Sequence, residues 1–313
     1  MKKLCTLFVW SLLTTALFCQ TLWQSPVTLS RSADLKINDF IATSNGGLLI
    51  YNELNDNLDY DLFIQKTDVN GNFLLNTPIS LFNNDNYQKD AHIVRSSDNN
   101  ILITWTETTI NNESRLYMMK MDSNGQFLWN DRKLLGSCNQ EEILKETELL
   151  ADNQEGAYLL WIRQTTPQNQ SLYYNRIDAQ GIVEYSDSGC LWYSDASISI
   201  KKSAIFGSGL STIIDCNQSD SLLFINTLNP QSINLLPDQE FYPDLKVNLL
   251  HLNNEYTVIT LFENYAFSFL KVYNSDLELT GQTSNLNSCI SLDKCNENEF
   301  ILTGFSYTGS EYI

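Results

Sequence analysis

A repeated segment limits the possible folds of this chain more than any other feature. "DLFIQKTDVNGNFLL" runs from Asp61 to Leu75, "RLYMMKMDSNGQFLW" from Arg115 to Trp129, and "SLYYNRIDAQGIVEY" from Ser171 to Tyr185. Each joins a short apolar strand to Asp-x-x-Gly and then to a second apolar run. Looser copies at 222–236 and 267–281 carry Asn229 and Asn274 where the others have Asp. The five marker positions, 68, 122, 178, 229 and 274, recur at about 50 residues, the spacing of a repeated supersecondary unit.

Between the markers lies a second element that reads strand, polar turn, strand. It is clearest at 40–53, 93–107 and 149–164, with degenerate copies at 204–217, 249–263 and 290–306. Marker and intervening hairpins together give each unit about four strands, rich in Ile, Leu, Tyr, Phe, Trp and Thr and punctuated by Asn, Asp, Gly and Ser. "NQEEILKETELL" (Asn139 to Leu150) comes nearest to a helix, and it fits a linker running into a strand equally well. Repetition of four-stranded units predicts an all-β, six-bladed β-propeller. "TLWQSPVTLS" (Thr21 to Ser30) matches the outer strand expected to start at Leu128 and Trp129, yet no inner strands precede it. The last unit stops at "TGSEYI". The ring is therefore expected to close by pairing the N-terminal strand with the last blade, which spares both an exposed edge. The rival expectation is a piece of a longer repeat protein.

The chain has 313 residues, 43% of them hydrophobic, ample for one large packed domain. Lys2 and Lys3 precede an uncharged apolar run from Leu4 to Phe18, the pattern of a secretory signal peptide and too short to span a membrane. Residues 1–19 are read as that signal and 20–313 as a single propeller domain; lipidation at Cys19 is the alternative to release. The net charge is −18, and cleavage would remove two of the few lysines. Such acidity excludes nucleic acid and anionic lipid as natural partners. Processing leaves Cys138, Cys190, Cys216, Cys289 and Cys295, an odd set that is no disulfide framework. Cys289 and Cys295 are spaced to pair across a hairpin, with buried thiols as the alternative.

The segments at 65–75, 120–129 and 176–185 resemble the Asp-x-x-Gly-x-x-x-Trp repeats of secreted bacterial propeller-like proteins, many of which carry a type IX secretion sorting domain. Asp122, Gly125, Leu128 and Trp129 match that pattern fully. The resemblance implies a fold and an extracytoplasmic compartment. No sorting domain follows in this sequence.

Candidate chemistry is sparse. Asp68 with Asn70 and Asp122 with Asn124 look like the start of a calcium loop, but the bidentate twelfth position would be Ile79 or Lys133. The simpler reading makes Asp68, Gly71, Asp122, Gly125, Asp178 and Gly181 structural turn residues. Asp would accept amides two and three residues on, and Gly would take the left-handed conformation. No metal or cofactor is expected. Trp105, Trp129, Trp161, Tyr51 and Tyr185 recur at unit positions suited to filling the space between blades. Only His92 and His251 are available as imidazole bases, and no nucleophile elbow accompanies them. Aligning the innermost strands places Asp39, His92, Glu148 and Asn248 at one comparable position, a candidate ligand-binding set in the central channel. The expected function is a non-catalytic binding module for carbohydrate or protein. The alternatives are a polysaccharide hydrolase or lyase using channel carboxylates, and a structural repeat segment of a larger surface protein.

Overall fold

A computed structural model describes residues 35–54, 60–82, 84, 86–206, 209–216, 221–226, 233–235, 246–252, 256–263, 267–274, 276, 278–284, 289–296 and 299–304. These residues form strands and turns without a helix, so none crosses a membrane as an apolar helix. The first sheet holds β1 (Leu35–Thr43), β2 (Gly46–Leu54), β3 (Tyr60–Thr67) and β4 (Ile79–Ser80); the second holds β5 (Tyr87–Arg95), β6 (Ile101–Thr108), β7 (Ser114–Met121) and β8 (Lys133–Cys138). The third comprises β9 (Ile143–Ala151), β10 (Ala157–Thr166), β11 (Asn169–Ile177) and β12 (Cys190–Asp195). The fourth comprises β13 (Ser199–Phe206), β14 (Gly209–Cys216), β15 (Ser221–Asn226) and β16 (Ile233–Asn234). The fifth has β17 (Lys246–Leu252), β18 (Tyr256–Glu263), β19 (Phe267–Asn274) and β20 (Leu279–Ser284), and the sixth has β21 (Cys289–Asn296) and β22 (Glu299–Gly304). Every sheet is an antiparallel meander in chain order.

Period-two alternation explains why these sheets stack. On β6, Ile101, Ile103 and Trp105 join Leu48, Ile50, Leu62 and Ile64 of the first sheet in one core. Leu102, between them in sequence, faces the other way, into a core with Leu159 and Trp161 of β10. Tyr158, Leu160 and Ile162 of the same β10 then meet Leu210 and Ile214 of β14. A strand buried on both faces reads as a continuous apolar run, which is what "ILITW" and "AYLLWI" are. Trp105 and Trp161 are fully buried between sheets. Trp161 stacks on its cross-strand neighbour Tyr173, as Tyr51 does on Phe63, and Trp105 lies tilted against its own, Tyr117.

The first strands lie side by side through the stack, β1 against β5, then β9, β13, β17 and β21. The architecture is therefore propeller-like. Thr21 to Ser30 and the segment "TGSEYI" lie outside the described residues, as do the side chains of Cys289 and Cys295.

Of the two readings of 139–150, the linker running into a strand is the one observed, in β9, while the outer strand needs correction: it begins at Lys133, not at Leu128. Trp129 is buried before that strand starts, its indole donating to Ala179 O in the third sheet's turn at 3.4 Å. Anchoring the ring there takes 129–132 out of the ladder.

Candidate functional site

At one end of the sheets the repeated turns adopt a single geometry. The Asp122 carboxylate accepts the amides of Asn124 at 2.8 Å and Gln126 at 2.9 Å. Asp68 does the same with Asn70 and Asn72, and Asp178 with Gln180 and Ile182. The amides are thus two and four residues on, not two and three. The third amide, that of Gly71, Gly125 or Gly181, instead bonds the Asp carbonyl at 3.1 Å in each copy. Those glycines have φ of 84°, 92° and 82°, where a side chain is strained. Hydrogen bonds, the Gln126 amide foremost, hold the Asp122 carboxyl below its usual range; for Asp68 the Asn72 side chain leads. These carboxylates are occupied in shaping their own loops.

A basic residue two positions before each Asp fastens neighbouring turns. Lys120 pairs with Asp98 at 2.7 Å and donates to Glu155 O at 3.0 Å, joining the second sheet to the third. Glu155 N in turn donates to Ser97 Oγ. Arg176 grips Asp152 through Nε at 3.0 Å and Nη2 at 2.8 Å. Burial alone would raise the Asp98 pKa, but bonds from Lys120, Ser96 and Asn100 drive it far down. Lys66 differs: its ammonium bonds Ser123 O at 2.9 Å.

The four aligned positions do occupy equivalent places on first strands. Asp39, His92, Glu148 and Asn248 stand opposite Ile50, Thr104, Leu160 and Thr260 of the second strands. The same register in the fourth sheet pairs Ser203 with Thr212, a member that sequence alignment missed. Each of the first three reaches the following sheet. Asp39 Oδ2 accepts Ile93 N at 3.0 Å, His92 Nε2 meets Thr147 Oγ1 at 2.9 Å, and Ser203 Oγ donates to Glu148 Oε2 at 2.5 Å. Asn248 Nδ2 donates to Thr260 Oγ1 within its own sheet, at 3.1 Å.

Local irregularity aims these side chains. The β1, β5, β9 and β13 ladders all shift register, at Ile37/Asp39, at Lys89/His92, opposite Trp161/Arg163, and at Ile200/Lys202. A bulge adds a residue to one strand and redirects its side chains. Glu146, in the β9 bulge, thereby accepts Ile200 N at 2.8 Å. Burial lowers the His92 pKa, outweighing the opposing negative charges of Asp39, Asp90 and Glu148, so the imidazole is neutral at pH 7. His251, buried beside Thr257 Oγ1, is pushed down to about 3 by desolvation. Burial raises the Cys138 and Cys216 thiols to about 11, which makes them poor nucleophiles. Among the described residues no group of three or more His, Cys, Asp or Glu is placed to hold a metal ion.

No family model and no curated protein matches this sequence. Solved structures share its fold. Prolyl oligopeptidase B from Galerina marginata, bound to a 35mer hydrolysis and macrocyclization substrate, is similar with a TM-score of 0.51 at 11% identity, over 91% of this chain and 39% of that one. An ulvan lyase from a new polysaccharide lyase family gives a TM-score of 0.51 at 6% identity, over 80% and 69%. The chain thus spans about two fifths of the oligopeptidase's length. Likeness at such identities is a likeness of fold alone.

Proposed function

We propose that this chain is a non-catalytic binding module, secreted or held at a bacterial cell surface, that presents one rigid end of a six-bladed ring to carbohydrate or protein. The observation that carries the reading is the interlocked turn end. Lys66, Lys120 and Glu155 each bond a turn of a neighbouring sheet, so the surface is ordered before any partner arrives and binding costs little conformational entropy. Ring closure is part of the proposal. It is supported by the stepwise contact of first strands from β1 to β21 and by the sixth sheet, which has two strands among the described residues and to which the Leu22–Trp23 segment would supply an outer strand. The N-terminal Lys-Lys and apolar run support export.

A second reading, a polysaccharide hydrolase or lyase, is favoured by one observation: Asp39, Asp90 and Glu148 all act electrostatically on His92. Against it, Asp39 spends both oxygens on main-chain amides, those of Phe40 and Ile93, and Glu148 is bonded to Ser203. Glycan-array binding of the exported protein, followed by an assay for chain cleavage of every glycan retained, separates the readings. Retention without cleavage is the expected result. Cleavage would make the chain an enzyme, and failure to retain any glycan or extracellular protein would leave a structural segment.

A further inference from the structure

The first two sheets meet at the turn end around a cavity of about 300 Å³ lined by Thr43, Ser44, Arg95, Asn99, Ile101 and Ser123. Its origin is a difference in turn length. The first and second strands of the second and third sheets are joined by residues 96–100 and 152–156, whereas β1 and β2 are joined by residues 44–45 alone. The shorter hairpin leaves space under its neighbour's longer one. The wall is chemically distinct from the rest of this acidic chain: one guanidinium, three hydroxyls and a carboxamide surround the apolar Ile101.

At this corner the basic side chains lack the carboxylate partners found in the next two sheets. Lys120 and Arg176 are neutralised by Asp98 and Asp152 in the longer turns. The short turn has no such Asp, and among the described residues neither Arg95 nor Lys66 takes part in an ion pair. Arg95 Nη2 donates to Ala42 O, and Lys66 bonds the carbonyl of Ser123, a lining residue. The nearby carboxylates are engaged, Asp98 by Lys120 and Asp122 by its own loop amides.

We propose that this cavity binds a small hydroxylated carboxylate of the uronic acid type. The Arg95 fork would take the carboxylate, while Ser44, Asn99 and Ser123 would take ring hydroxyls over Ile101. A volume of about 300 Å³ lies at the small end of ligand sites and suits one sugar unit. The assignment deepens the binding-module reading and rests on it.

Titration calorimetry of the exported protein with glucuronate, galactose and acetate tests the assignment. Glucuronate is expected to bind at least about 10-fold more tightly than either control, because each lacks half of the recognised chemistry. Arg95→Gln should lose about 10-fold or more of that affinity. Arg95→Lys, which keeps the charge but not the fork, should lose less. Glucuronate should also shift the amide resonances of Ser44 and Asn99. Unchanged affinity in Arg95→Gln, equal binding of acetate, or shifts confined to other residues would each overturn it. If the glycan array still retains ligands that Arg95→Gln binds normally, this site fails while the binding-module reading stands; if nothing binds the protein, both fail.

Discussion

In the second and third sheets the first strand carries a bulge, and a side chain beside it reaches the following sheet: His92 to Thr147, Glu148 to Ser203. In the fifth sheet β17 pairs with β18 without a register shift, and Asn248 bonds Thr260 in its own sheet. The turns follow the same division. Asp122 and Asp178 grip two loop amides with a carboxylate, while Asn274 holds the amides of Asp276 and Glu278 at 3.1 and 2.8 Å with a neutral carbonyl oxygen. The unit thus tolerates loss of charge in its turn because the acceptor geometry is kept. Along the first strands the contacts to the next sheet lie beside bulges, whereas the unbulged β17 keeps Asn248 on its own ladder. Among the described residues the early sheets are thus stitched through first strands and turns, while the fifth is joined to the fourth by Lys271 Nζ on Leu235 O.

The largest test of that contrast lies at its weak end. If Thr21 to Ser30 supply the outer strand of the sixth sheet, deleting them strips an edge from the ring beside the small fifth-sheet core. The expected loss exceeds the about 3–5 kcal/mol of a large core truncation. Calorimetric unfolding should then divide, with the fifth and sixth sheets melting before the first three. A single transition at the parent temperature would break the closed-ring proposal.

Next in size is the core itself. Trp161 is fully buried between the second and third sheets, among Leu116, Leu135 and Leu159. Trp161→Ala should cost about 3–5 kcal/mol in denaturant titration, and Leu270→Ala in the smaller fifth-sheet core about 2 kcal/mol. Trp161→Phe should cost far less than Trp161→Ala, since the indole Nε1 is buried without a partner and its removal forfeits no hydrogen bond. Equal losses at 161 and 270 would show that the fifth sheet is as tightly set as the third.

Much of this was legible in the sequence. The strand, polar turn, strand segments at 40–53, 93–107 and 149–164 announced the inner hairpins, and the Asp-x-x-Gly spacing announced the turns. Asp39, His92, Glu148 and Asn248 could be aligned because their strands are anchored by recognisable apolar neighbours. Ser203 was missed although its strand carries the same bulge as β1, β5 and β9, because "SIKKSAIF" offers fewer apolar neighbours to anchor the alignment. The cavity beside Arg95 was equally hidden. The two-residue turn at 44–45 is visible in the sequence, but Ser123 and Arg95 are brought to it only by stacking one sheet on the next.

The smallest effect bears most directly on whether bulges do the fastening. Glu148 is half-buried and holds Ser203, itself nearly buried, at 2.5 Å across the third and fourth sheets. Glu148→Ala should cost about 1–2 kcal/mol, the range for a hydrogen bond to a charged group, reduced because Ser203 keeps its bond to Thr212 Oγ1 at 2.8 Å. Asn248→Ala removes a contact that joins nothing beyond its own sheet and should cost less than about 1 kcal/mol. The more telling readout is the double change Glu148→Ala with Ser203→Ala. If the pair is a stitch, the double variant should lose less than the sum of the two single losses, because either single change already breaks the shared bond. Additive losses would mean that Glu148 and Ser203 act independently, and the bulged strands would then owe their alignment to packing, as the unbulged β17 does.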